Sequence, residues 1–277
     1  MDRRNLIGLF AASAAVGAFA ASPARAETKS LLDQIKDRGV FRIGVVQAEP
    51  WAFNDPVKRE WTGIAPSYGT ALAEALHVKP EFVEVTWGSA VAALQSGKID
   101  IMPNLSVTPE RALAVEYANS PLSYSALALL VMDGNKATTW DEFDNPDTRI
   151  AVSQGSAEDA YISKRLPKSK IFRFGSYAED IAALQNRNAN AVALFHPTLV
   201  VLASRVPGSK IVIPKPSRFS FSDTAVRRDP DKSLRDWLAT ANSYFYNNGS
   251  NQEWYEQFLV SRGIDPKSSP ALIKERW

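Results

Sequence analysis

Apolar positions along this chain alternate between two rhythms. Leu31, Leu32 and Ile35 fall at i, i+1 and i+4, which predicts a short amphipathic helix over 31–38, stopped by Gly39. Residues 40–46 are rich in Val, Ile and Phe and read as a strand. Tyr68, Leu72 and Leu76 share one face of a helix over 63–76. Strands over 82–85 and 99–102 flank a helix over 90–94 that closes at Ser96-Gly97. The rhythm then restarts. An apolar, β-prone run covers 126–132 and ends in the turn Asp133-Gly134-Asn135. Strands over 149–152, 171–174 and 191–195 alternate with helices over 155–165 and 178–185. Residues 219–226 look extended, and helices follow over 233–246 and 253–260. Strands alternating with helices predict βαβ units and a mostly parallel sheet. The chain reads as two similar α/β units with a helical tail, and periodicity leaves open which unit the tail covers.

The N-terminal segment follows another logic. Asp2-Arg3-Arg4 precedes an apolar stretch over 6–21 that closes on Ala24-Arg25-Ala26. A basic start, an apolar middle and a small-x-small end predict a secretory signal peptide over 1–26. Its paired arginines also match the twin-arginine route. Gly8, Ser13 and Gly17 interrupt the stretch, unlike a membrane anchor. Removing it takes away three arginines and one aspartate and leaves residues 27–277 formally neutral. That balance, with no basic block, argues against a nucleic-acid partner. The absence of cysteine excludes disulfides, thiolate metal sites and a lipidated cysteine. With two histidines in all, no metal cluster is expected either, and no cofactor. The remaining length suffices to bury a core without such staples.

The order of motifs adds a family to this picture. Glu49-Pro50-Trp51-Ala52-Phe53 is followed by Trp61-Thr62-Gly63, Trp87 and Leu94-Gln95-Ser96-Gly97-Lys98-Ile99-Asp100. Then come Ser106-Val107-Thr108-Pro109-Glu110-Arg111 and Val152-Ser153-Gln154-Gly155-Ser156. In this order the motifs resemble those of the family-3 solute-binding proteins of polar amino acid ABC transporters. The resemblance implies an α/β fold of two lobes, the type II periplasmic binding protein fold, with a mixed sheet flanked by helices in each lobe. It places lobe 1 at 27–129 plus 226–277 and lobe 2 at 130–225, with crossing strands near 129–132 and 221–226. Closure on a small carboxylate ligand is the expected motion. A monomer in the periplasm, partnered by an ABC permease of the inner membrane, is the expected setting.

Arg111 is the leading site residue. An arginine offers a carboxylate a permanent charge and a planar fork, and the resemblance assigns it the ligand's α-carboxylate. By itself it also reads as a surface arginine paired with Glu110 or Glu116. Ser106 matches a further carboxylate contact, and reads equally as a helix N-cap. Asn104 matches a small polar position nearby, next to Pro103, which lacks an N–H. Ser156 would cap a helix whose free N–H groups face the ligand from the other lobe. Trp51, and less so Phe53, match an aromatic position over the ligand side chain.

One departure bears on the ligand. The family carries an aspartate for the ligand's ammonium at the end of an Asp-Ala-x-x-x-Asp run. Here that run is Asn190-Ala191-Val192-Ala193-Leu194-Phe195, so Phe195 stands in the aspartate's place. Ala157 likewise replaces a frequent threonine. Three readings stay open: Glu158 or Glu49 takes the ammonium, Phe195 and Trp51 hold an alkylated ammonium by cation–π attraction, or the ligand has no amino group. The transport receptor is the leading function and it needs no catalytic group. A cyclohexadienyl-dehydratase-like enzyme on the same scaffold, with a proton from Glu49, Glu158 or His196, is the alternative, and a sensory receptor is another.

Overall fold

A computed structural model describes residues 29–276; the expected signal segment lies outside them. The first half runs α1 (Leu31–Arg38), β1 (Val40–Val45), β2 (Phe53–Asn54), β3 (Trp61–Thr62), α2 (Ile64–Ala75), β4 (Lys79–Glu84), α3 (Ala90–Gln95), β5 (Ile101–Ser106), α4 (Pro109–Ala112), β6 (Val115–Tyr117) and β7 (Ser123–Met132). The second half adds α5 (Trp140–Phe143), β8 (Arg149–Ser153), α6 (Ala157–Arg165), β9 (Lys170–Phe174), α7 (Tyr177–Gln185), β10 (Ala191–Phe195), α8 (His196–Ala203), β11 (Ser209–Val212) and β12 (Phe219–Arg227). Helices α9 (Ser233–Asn247) and α10 (Ser250–Ser261) close the chain. Local chemistry sets many of these boundaries. Ser30 Oγ accepts from Asp33 N to start α1, and Gly39 ends it at φ +67°, where a side chain would be strained.

The strands join in the order β4-β1-β5-β12-β7-β10-β8-β9, with β6 on β12 and β11 on β7. Strand β1 is parallel to β4 and β5, and β8 is parallel to β9 and β10. The two parallel sets are linked by the antiparallel pair β7 and β12, which pass from one set to the other. Their mutual pairing covers Ser123–Ala126 and Phe219–Ser222. Beyond it β7 pairs with β10 and β11, and β12 pairs with β5 and β6. The crossing on β7 thus lies upstream of the expected 129–132, because the apolar run marks an interior strand rather than the link. Leu129, Leu130 and Val131 are fully buried in the second half. The link itself carries hydroxyls, and Ser123 Oγ and Ser222 Oγ share a 2.7 Å hydrogen bond.

The tail returns to the first half. Leu234 and Leu238 of α9 pack with Leu31, Ile35, Phe41 and Tyr68, and α10 lies on α2. Sequence periodicity overlooked α8 altogether. Every residue from His196 to Leu202 is buried, so the helix has no polar face to mark its period.

His196 opens α8 and is 1% exposed. Its Nδ1 accepts from Ala126 N at 2.9 Å, so the proton sits on Nε2, which faces Pro270 O at 3.1 Å. The residue therefore ties the end of the crossing to the C-terminal tail and does not line the ligand cleft. Burial pushes its pKa down to about 4. Between that value and the ordinary 6.5 the unfolded chain binds the proton and the folded chain does not, so this residue's contribution to stability is lost as pH falls through that window. Asp223 acts oppositely: burial raises it to about 7, so its contribution grows as pH falls from there toward 3.8. In a ¹⁵N NMR titration the His196 ring should keep its neutral Nε2–H form down to about pH 5. A midpoint near the ordinary histidine value would refute this account.

Candidate ligand site

Strand β5 does not run straight into the site. Its pairing with β12 shifts between Asp223 and Ala225, where Pro103 offers no N–H and Asn104 adopts φ +55°. An asparagine tolerates that left-handed conformation better than most residues. The irregularity leaves Asn104 5% exposed, with both Oδ1 and Nδ2 buried and unpaired by any protein group. Such a pair of unmet groups is costly unless something else meets them.

After β5 the chain turns into the single turn α4. Thr108, not Ser106, caps it, accepting from Arg111 N at 3.2 Å. Ser106 is left free to end β5, and its carbonyl accepts from Arg111 Nη1 at 3.0 Å and from Tyr117 Oη at 3.1 Å. Arg111 Nη2 donates across the halves to Gly155 O at 3.2 Å. No carboxylate lies within ion-pair distance of Arg111 among the described residues, and Glu116 is taken by Lys232. The guanidinium has five N–H groups and two such bonds, so donors remain for an anion.

The second half meets Arg111 with the start of α6. Ser156 Oγ accepts from Asp159 N at 3.1 Å and caps the helix as expected. Gly155 holds φ +71°, and a Cβ there would stand 3.0 Å from Gly88 Cα of the first half. The two backbones touch at this point, which excludes larger residues. Trp87 Nε1 donates to Tyr177 Oη at 2.9 Å and makes another bridge between the halves.

Between these contacts lies a pocket. Arg111, Ser106, Asn104, Ser156, Trp51, Glu158 and Phe195 all line it. Glu158 is 4% exposed, and burial raises its pKa above the ordinary range. The charge of Arg111 and hydrogen bonds from the Ser156 hydroxyl and the Phe195 backbone partly offset that rise.

Glu49 is elsewhere. Its Oε2 accepts from Arg205 at 2.6 Å and from Arg262 at 3.0 Å, so the charge of this buried glutamate is spent on two partly exposed arginines in a cluster that joins the halves. Phe53 also lies away from the pocket, under the Arg262 guanidinium at 4.2 Å. Residue-type reasoning missed Tyr177, Ser125 and Phe221, which line the pocket, and gave Trp87 no role there. Trp87 stands in the quoted motif series and was the one with a sequence signal. The others come from segments without a distinctive motif.

Residues 41–261 match the model of the bacterial extracellular solute-binding proteins, family 3. The chain belongs to this family. A protein of Sinorhizobium fredii named for periplasmic binding in an amino-acid ABC transporter is 26% identical over 256 residues, covering 87% of this chain and 82% of that one. The L-cystine-binding protein TcyJ of Escherichia coli is 23% identical over 167 residues, 60% of this chain and 61% of its own. The crystal structure of an ancestral amino acid-binding protein, described as a precursor of cyclohexadienyl dehydratase, superposes with a TM-score of 0.75 at 29% identity. It covers 83% of this chain and 99% of the other. This family-3 solute-binding protein has the two-lobed α/β architecture of such structures. Among the described residues no helix is long and apolar enough to cross a membrane.

Proposed function

We propose that this solute-binding protein captures an α-amino acid with a free ammonium group between its lobes in the periplasm and delivers it to the permease of an ABC importer. One observation carries the reading: an arginine without a carboxylate partner and a buried glutamate line the same pocket from opposite halves. A zwitterion is the ligand that satisfies both charges at once. Arg111 takes the α-carboxylate, with Ser106 and the free N–H groups at the start of α6 beside it. Glu158 takes the ammonium in place of the aspartate that Phe195 replaces. Glu49 is not available for that role, since two arginines already hold it. The unmet amide of Asn104 supplies one further donor and acceptor. Trp51 and Phe195 form the apolar walls. The lobes hinge at Ser123–Ala126 and Phe219–Ser222, and the protein works as a monomer. The names of its relatives, an amino-acid transporter component and a cystine receptor among them, support the assignment.

A thermal-shift panel of amino acids, each beside its deaminated analogue, tests this. Ligand at a hundred times its dissociation constant adds about 2.7 kcal/mol. In a chain of this size the midpoint should then rise by roughly 5–10 °C. Amino acids should shift it and the analogues should not. Equal shifts from both would remove the ammonium and Glu158 from the account. Following ligand consumption in the same samples separates capture from turnover, because a buried acid with a raised pKa is also what an acid catalyst requires. The receptor reading expects no consumption.

A further inference from the structure

Side chains bridge the halves in two places. At the pocket, Arg111 donates to Gly155 O and Trp87 donates to Tyr177 Oη. Away from it, Glu49 Oε2 of the first half accepts from Arg205 Nη2 of the second at 2.6 Å, and neither residue lines the pocket. The first half holds its member of this pair by itself. Glu49 is buried, in a loop closed by Ala48 and Ala52, which exchange backbone hydrogen bonds of 2.9 and 3.0 Å. Arg262, just past α10, donates Nε to the same Oε2 at 3.0 Å. Its guanidinium lies 4.2 Å from the Phe53 ring centre and 4.9 Å from that of Phe258. Arg205 comes from the turn after α8, beside the buried Val206, and its side chain is 48% exposed.

The two arginines are not equivalent. Parting Glu49 from Arg205 leaves the glutamate with Arg262 as its counter-charge and lets Arg205 take up water. Neither half is then left with a buried, unpaired charge. The cost is that of one charge-assisted hydrogen bond, partly offset by hydration, which suits a contact that is made and broken. The position suits it too. Helix α8 starts beside the crossing, where His196 is bonded to Ala126 N, and its axis carries the chain about 10 Å toward Arg205. A rotation at the crossing therefore displaces Arg205 relative to Glu49. We propose that Glu49 and Arg205 form a latch between the lobes, which raises the closed population without touching the ligand. Ligands that require the closed form are then all bound more tightly by the same factor. This rests on the hinge motion given above and holds for any ligand of the pocket.

Distances between two nitroxide labels in the ligand-free protein, measured by double electron–electron resonance, test the latch. The chain has no cysteine, so labels attach only where Ala92→Cys on α3 and Lys164→Cys on α6 supply one. Both positions are exposed, on the helices that follow Gly88 and Gly155, where the halves touch. The short, closed distance should be well populated in the parent. Arg205→Gln should lower the ratio of short to long distances by roughly fivefold to tenfold. This variant spares the Glu49 loop and with it Trp51 of the pocket. Arg205→Lys should keep most of the short population, because an ammonium still pairs with Glu49. Urea unfolding of the same variants separates opening from unfolding, and the midpoint should hardly move, since the Arg205 side chain is half exposed. An unchanged ratio in Arg205→Gln overturns the latch, as does a parent that shows the long distance alone. Equal opening in Arg205→Lys, or a urea midpoint that falls together with the ratio, overturns it as well. In each of these cases the thermal-shift panel still decides the amino-acid reading.

Discussion

Arg111→Ala should reduce ligand affinity by about a hundredfold to a thousandfold. The guanidinium is the cation lining the pocket, and without it the ligand's carboxylate would keep only neutral hydrogen-bond donors and no counter-charge. Stability should hardly change, within roughly 0.5 kcal/mol. Arg111 is half-buried, its protein bonds go to two carbonyls, and one of those, Ser106 O, keeps its bond from Tyr117. Arg111→Lys should lose most of the affinity as well, because an ammonium cannot present the planar fork. Calorimetry against the best ligand of the thermal-shift panel, with urea unfolding of the same variants, reads both quantities. Affinity within threefold of the parent would remove Arg111 from the carboxylate site.

Glu158→Gln should cost about a hundredfold in affinity for amino acids and little for a deaminated analogue. The glutamine keeps the shape and loses the charge that the ammonium needs. The empty protein should become more stable at neutral pH. Burial raises the Glu158 pKa in the folded state, so its contribution to stability is present below the unfolded value and is lost as pH rises through the folded one. The variant lacks that loss. Binding carries the matching signature. The ammonium pairs with the carboxylate form only, so affinity should rise with pH through the raised pKa, and capture should release protons. Calorimetry in buffers of different ionisation enthalpy measures that release. No proton release, with an unchanged Glu158→Gln variant, would mean that the ammonium is held elsewhere.

Much of this was legible from residue patterns, for a local reason. Helices α1, α6, α7 and α9 are amphipathic and carry caps or stops in their own sequence, such as Ser30, Gly39 and Ser156. Arg111, Ser106 and Ser156 stand in short motifs whose spacing places them at a strand end and at helix starts, and they line one pocket together with Asn104. Helix α8 was not legible, because a segment buried on all sides shows no period, and the crossing of β7 was masked by the apolar interior run that follows it.

The two glutamates mark the boundary most clearly. By residue type Glu49 and Glu158 are equivalent candidates for an ammonium. Their partners separate them, and Glu49 meets Arg205 and Arg262 from 156 and 213 residues further along the chain. The sequence alone determined the alternation of strands and helices, the order of motifs and hence the family, since each depends on neighbours within a few turns. The tertiary structure alone decided that the tail returns to the first half, where the halves cross, and which acid is left to face Arg111. Those outcomes depend on contacts between distant segments, and local periodicity carries no information about them.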